Sequence, residues 1–205
     1  MPVITSIKPQ KYTKRVNIYL DGKFGFGIDL VNFVKLGLRV EQSLDDEEIE
    51  KIIKKVEFQK TYDYLLKFAM LRPRSEKEIK DWLKRKKTPE SLHKDLFSKL
   101  KGLDLIDDEE FAKWWVEQRL EFKNKSKRDL EYELRMKGIE KEIIDNVLYK
   151  LKINEEEIAK ELLRKKIYRW KALPDSEKKR KMSEYLARKG FGWDIIKKTI
   201  KGGDF

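Results

Sequence analysis

Apolar residues recur at every second position near the start of the chain and at every third or fourth position from about residue 45 onward, so a short strand-forming part precedes a long helical one. Val3, Ile4 and Ile7, then Val16, Ile18 and Leu20, then Phe24, Phe26 and Ile28 make three alternating runs. Asp21-Gly22 separates the last two and marks a hairpin, because the tight turn between twisted strands needs positive φ. A sheet of about three strands is predicted, then a short helix over residues 30–36 that Gly37 closes in the left-handed conformation. A bare hairpin is marginal in water, so the sheet should pack on the helices that follow.

The helical part repeats itself. Leu44, Asp45, Glu48 and Ile49 fit a capping box inside a hydrophobic staple: the Asp carboxylate accepts a free N–H of the first turn, and the apolar pair fixes the direction in which the chain comes in. Ile106, Asp107, Glu110 and Phe111 repeat the pattern, as do Ile153, Asn154, Glu157 and Ile158. Residues 75–100 align without a gap on 126–151: Ile79, Leu83, Leu92, Leu96, Phe97 and Leu100 fall on Leu130, Leu134, Ile143, Val147, Leu148 and Leu151. A further shift of 52 brings most of them onto Met182, Leu186, Ile195, Thr199 and Ile200. Two helical stripes across a turn, preceded by a capped helix, give a three-helix unit. The expected fold is mainly α. A small N-terminal β-sheet extension with a linking helix occupies 1–60, and tandem three-helix repeats occupy 61–106, 107–153 and 154–205. Each repeat has a thin core of its own, so neighbours should stack in an elongated, curved arrangement.

Composition removes most chemistry from consideration. There is no Cys and a single His, His93, which excludes thiol nucleophiles and the usual zinc sites, so no metal or cofactor is expected. Phosphate-cradling glycine loops, the two-His zinc motif and the nucleophile-elbow motif are all missing, and no enzymatic activity is expected. The acidic runs 107–110 and 155–157 fall at predicted helix starts, where the helix dipole favours negative charge. Residues 1–10 lack the apolar segment of a secretion signal and no apolar run is long enough to span a bilayer, so the expected location is the cytoplasm, with no membrane contact. The net charge of +12 divides as +2, +5, −1 and +6 over 1–60, 61–106, 107–153 and 154–205. Such a graded basic surface suits a polyanionic partner met along a structured body.

Three consecutive stretches carry a family resemblance. Arg119, Lys125-Ser126, Leu130, Glu133-Leu134 and Lys137-Gly138-Ile139 resemble the second-repeat signature of the RecX family. Arg72-Pro73-Arg74-Ser75, Glu78-Ile79 and Leu83 resemble the first, and Gly102-Leu103 with Ile106-Asp107-Asp108-Glu109-Glu110-Phe111-Ala112 resembles the junction between them. Leu20-Asp21-Gly22-Lys23 is similar to the N-terminal extension of some members. The chain departs from the pattern at Lys123-Asn124-Lys125, where members often have Gly, and in the third repeat before Leu186. The resemblance implies a monomeric regulator that lies in the groove of the RecA recombinase filament on DNA and limits filament growth, ATP hydrolysis and strand exchange, with a part in DNA repair, recombination and the SOS response.

Candidate contacts are basic side chains near the start of each unit's second helix and in the turn beyond. They are Arg72, Arg74, Lys84, Arg85, Lys86 and Lys87 in the first unit; Arg119, Lys123, Lys125, Lys127, Arg128 and Arg135 in the second; and Arg164, Lys165, Lys166, Arg169, Lys171, Arg188 and Lys189 in the third. A charge run also arises simply as a solvated helix face. Adjacent Trp114 and Trp115 point about 100° apart on a helix and are expected to pack between modules, whereas Tyr168, Trp170, Phe191 and Trp193, set among cations, suit either core packing or base stacking. The charge surplus leaves open a second reading, a basic repeat protein that binds single- or double-stranded DNA by itself.

Overall fold

The computed structural model describes residues 1–11 and 14–203. The chain forms two compact units, Met1–Phe68 with Thr88–Ser98, and Ala69–Lys87 with Lys99–Phe205. The first unit contains an antiparallel sheet in the order β1 (Ile4–Pro9), β2 (Arg15–Leu20) and β3 (Lys23–Asp29). Asp21 and Gly22 sit at φ 46° and 78°, as the hairpin requires. Val16 pairs with Ile28 and Ile18 with Phe26, so one face of the sheet is apolar. That face packs on Ile52 and Val56 of α2 (Asp46–Met70), the helical support a small sheet needs. α1 (Leu30–Leu36) ends at Gly37 with φ 60°, and α2 opens on the expected capping box: the Asp45 and Glu48 carboxylates each accept the other's backbone N–H, at 2.7 and 2.9 Å respectively.

In the second unit, α5 (Asp108–Lys123), α6 (Lys127–Met136) and α7 (Lys141–Lys150) enclose a core of Phe111, Val116, Leu130, Leu134, Ile144 and Val147. The helices α8 (Glu155–Arg164), α9 (Asp175–Arg188) and α10 (Trp193–Lys201) repeat the arrangement around Leu163, Met182, Leu186, Phe191 and Ile196. Thr199, the polar residue that breaks the repeated apolar pattern, is buried with its hydroxyl unpartnered among the described residues. α3 (Glu76–Arg85) precedes these helices in the same unit, and α4 (His93–Lys101) lies between it and α5 in sequence.

One joint occurs twice. Ser75 caps α3 and Ser126 caps α6, each accepting an N–H of its own first turn. A carboxylate from a later first helix adds a second cap: Asp108 Oδ1 accepts from Glu76 N at 2.8 Å, and Glu155 Oε1 accepts from Lys127 N at 3.0 Å. The turn after the next second helix then closes on the serine. Ser75 Oγ donates to Lys137 O at 2.8 Å, and Gly190 lies so near Ser126 that an added Cβ would stand 2.6 Å from its Oγ. Gly138 and Gly190 have φ 80° and 82°, so both backbone and space demand glycine there.

Candidate functional site

Along the first joint, cations, carboxylates and indoles form a continuous ladder. Glu78, 13% exposed at its side chain, accepts two hydrogen bonds from the Arg72 guanidinium at 2.9 and 3.0 Å and one from Lys137 Nζ at 2.7 Å. Arg74 stands 3.9 Å from the same carboxylate. Arg72 lies 5.2 Å from the Trp114 ring centre, while Arg119 and Lys137 lie 4.2 and 4.7 Å from that of Trp115. Trp115 Nε1 and Arg119 Nε both donate to Glu133, which also pairs with Lys125. Burial alone would raise the Glu78 carboxyl, yet the hydrogen bonds from Arg72 and Lys137 outweigh it and hold it below the ordinary carboxylate range. Glu133 is lowered in the same way: Arg119, Trp115 and Lys125 overcome the effect of burial. Asp108 goes up, because burial and neighbouring acids outweigh its bond from Glu76 N.

This ladder changes the picture of the candidate cations. Arg72, Arg74, Arg119 and Lys125 are spent inside the fold, and Trp114 and Trp115 are half-buried against the core of α5–α7. Arg135, Arg164 and Lys165 pair with Glu131, Glu157 and Glu161 on the surface, where such bridges hold their partners loosely. Among the described residues, Lys84, Arg85, Lys87, Lys123, Lys127, Arg128, Lys166, Lys171, Arg188 and Lys189 carry no ion pair, and Lys86 lies 5.9 Å from the Trp82 ring. Lys84 to Lys87 gather at the end of α3, where the helix dipole also favours positive charge. Arg169 donates to Tyr168 Oη at 3.2 Å.

The four aromatics of the third repeat divide. Phe191 is buried and Trp170 packs edge-on to Tyr185 beside the core, but Tyr168 and Trp193 are 61% and 59% exposed. A recess of about 570 Å³ opens beside Trp170, lined by Lys166, Arg169, Lys181, Glu184, Tyr185, Arg188 and Lys189. His93 lies half-buried at the start of α4 with Nε2 3.1 Å from Thr88 O. Reading the sequence alone placed Ser75, Glu78, Ser126, Glu133 and Gly138 in the family signature without a role at the site, and did not single out Lys181 or Gly190. The repeat shift offers a signal for the joint, since Ser75 falls on Ser126 and Lys137-Gly138 on Lys189-Gly190.

Comparison with known proteins places this arrangement. Residues 2–45 match the regulatory protein RecX N-terminal domain, 107–148 the second three-helix domain of RecX and 154–200 the third. A regulatory protein RecX of Bacillus licheniformis is 34% identical over 207 residues, covering 100% of this chain and 79% of the relative. The chain belongs to the RecX family. The Bacillus subtilis RecX is 34% identical over 198 residues (96% of this chain, 75% of the relative), and a Clostridium botulinum RecX is 30% identical over 205 (98% and 96%). A crystal structure of regulatory protein RecX superposes with TM-score 0.72 at 30% identity over 99% of this chain and 100% of that one. Lactobacillus salivarius RecX gives 0.65 at 27%, over 71% and 96%. The third repeat, whose first part departs from the RecX signature, is thus matched through 154–200. At the other departure, Asn124 takes φ 49° where RecX members often have Gly, a conformation Asn tolerates better than most side chains. RecX is a family of regulators rather than enzymes, and among the described residues no helix is long and apolar enough to cross a membrane.

Proposed function

We propose that this chain binds the RecA nucleoprotein filament and restrains its ATP hydrolysis and strand exchange, as a cytoplasmic monomer with no cofactor. Similarity to RecX regulators over the whole of this chain carries this reading. The distribution of unpaired charge supports it. Cations of 61–106 and 154–205 that the fold does not consume, Lys84 to Lys87 and then Lys166, Lys171, Arg188 and Lys189, supply two basic contact regions for acidic protein surface or phosphate. The repeat between them, 107–153, is nearly neutral and has Arg119 and Lys125 locked into its ladder, so it acts chiefly as a spacer, with Lys123, Lys127 and Arg128 as its remaining contacts. Binding should be compared on naked single-stranded DNA, duplex DNA and RecA-coated DNA at two salt concentrations. Tight binding to the coated DNA at both salts, with weak salt-sensitive binding to the naked forms, is expected. Equal binding to coated and naked DNA would instead describe an independent DNA-binding protein.

A further inference from the structure

The recess of the third repeat is built from one face of one helix and the turn before it. Lys181, Glu184, Tyr185 and Arg188 follow one another on α9 at spacings of three, one and three, with Lys189 just past its end, so they share one side of the helix next to the buried Met182 and Leu186. Lys166, Arg169 and Trp170 face them. Five cations therefore share the lining with one carboxylate, and that carboxylate is already engaged: Glu184 pairs with Arg180 outside the recess at 3.3 Å and with Lys181 of the lining at 3.8 Å. Lys166, Arg188 and Lys189 have no ion pair among the described residues.

Comparison of the two joints explains why Lys189 is left over. Its repeat equivalent, Lys137, is consumed by Glu78 and the Trp115 ring. The residue equivalent to Glu78 is Asp129, and Lys125 occupies it at 3.0 Å. Among the described residues, the shorter Asp129 side chain carries no second ion pair of the kind that Glu78 makes with Lys137, and Lys189 is left without one. Gly190, seated against Ser126 and Asp129, holds the end of α9 in place, so Arg188 and Lys189 are anchored rather than loosely displayed. Holding like charges together is unfavourable until an anion neutralises them.

We infer that this recess binds single-stranded nucleic acid, taking a backbone phosphate among Lys166, Arg188 and Lys189 and a base or sugar against Trp170 and Tyr185. Its size suits one nucleotide, and an aromatic wall beside a cationic rim is the combination by which proteins hold single strands without reading sequence. A duplex keeps its bases stacked inside and offers phosphates alone, and an acidic peptide offers no planar ring. The inference does not require the recombinase, so it can fail while the filament reading stands.

The test is anisotropy of a labelled short oligothymidylate with the full chain. Three proteins are compared: the wild type, the pair Arg188→Ala with Lys189→Ala, and, as a charge-matched control, the pair Lys55→Ala with Lys60→Ala, two exposed lysines of α2 outside the contact regions. Loss of about tenfold or more in affinity, with the salt slope falling by about 1.4, is expected for the first pair, and little change for the control. Trp170→Phe, which keeps a ring beside the core, tests the wall and should weaken the oligonucleotide more than it weakens inorganic pyrophosphate. Equal losses in both pairs would overturn the inference, because charge in general and not the recess would be responsible. So would an acidic peptide of matched charge, or a blunt duplex, that competes as well as the single strand.

Discussion

Replacing Glu78 by Gln keeps the shape of the side chain and removes the charge on which three cations converge. The carboxylate is 13% exposed at its side chain, and Arg74, Arg72 and Lys137 are 10%, 28% and 30% exposed. Removing one partner of a buried ion pair costs about 3–5 kcal/mol, because the remaining charge is left uncompensated. Arg72 and Lys137 can turn partly to water, which puts Glu78→Gln near the lower end, about 3 kcal/mol. For a unit of this size that lowers the melting temperature by about 6–12 °C. All five Trp residues, 82, 114, 115, 170 and 193, lie in the second unit, so tryptophan fluorescence during heating reports its unfolding. Glu131→Gln is the control in the same unit: its bridge to Arg135 joins side chains 39% and 59% exposed, and its loss should cost under about 1 kcal/mol. Equal melting shifts for the two variants would refute the reasoning, since the ladder would then be worth no more than a surface bridge.

Further outcomes follow from the same geometry. Gly190→Ala forces a Cβ within 2.6 Å of Ser126 Oγ at φ 82° and should destabilise by more than about 1 kcal/mol, measured by urea unfolding; Gly22→Ala, at φ 78° with open space around it, should cost less. Leu134→Ala empties a fully buried position in the α5–α7 core and should cost about 2–5 kcal/mol by the same measurement. Glu78 and Glu133 titrate below their unfolded values, so their contribution is complete above the ordinary carboxylate range and is lost as pH falls through their folded values. Asp108 has the opposite sign: its raised value is a penalty above that value, relieved on acidification, so Asp108→Asn should flatten this opposing part of a pH–stability curve.

Much of the fold was legible in the residues because it depends on local rules. Period-two runs around Asp21-Gly22 gave the sheet, Gly37 the end of α1 and Asp45 with Glu48 the start of α2, each an interaction spanning a few residues. Apolar spacing likewise placed the helices of the repeats. The candidate site was less legible because its pairing is non-local. Lys137 meets Glu78 across 59 residues and Ser75 meets Lys137 across 62, so the same basic composition hides spent cations such as Arg72 and Arg119 beside unspent ones such as Arg188. The pairing of Trp114 with Arg72 and of Trp115 with Arg119 and Lys137 was equally hidden, since adjacency fixes the angle between two side chains and not what covers them.

The central claim, that this RecX-family chain restrains a recombinase filament, is tested most directly by DNA-dependent ATP hydrolysis of RecA on single-stranded DNA during titration with this protein. The account predicts inhibition at substoichiometric amounts, weakened when Lys84, Arg85, Lys86 and Lys87 are replaced by Ala. Unchanged hydrolysis at saturating protein would contradict it.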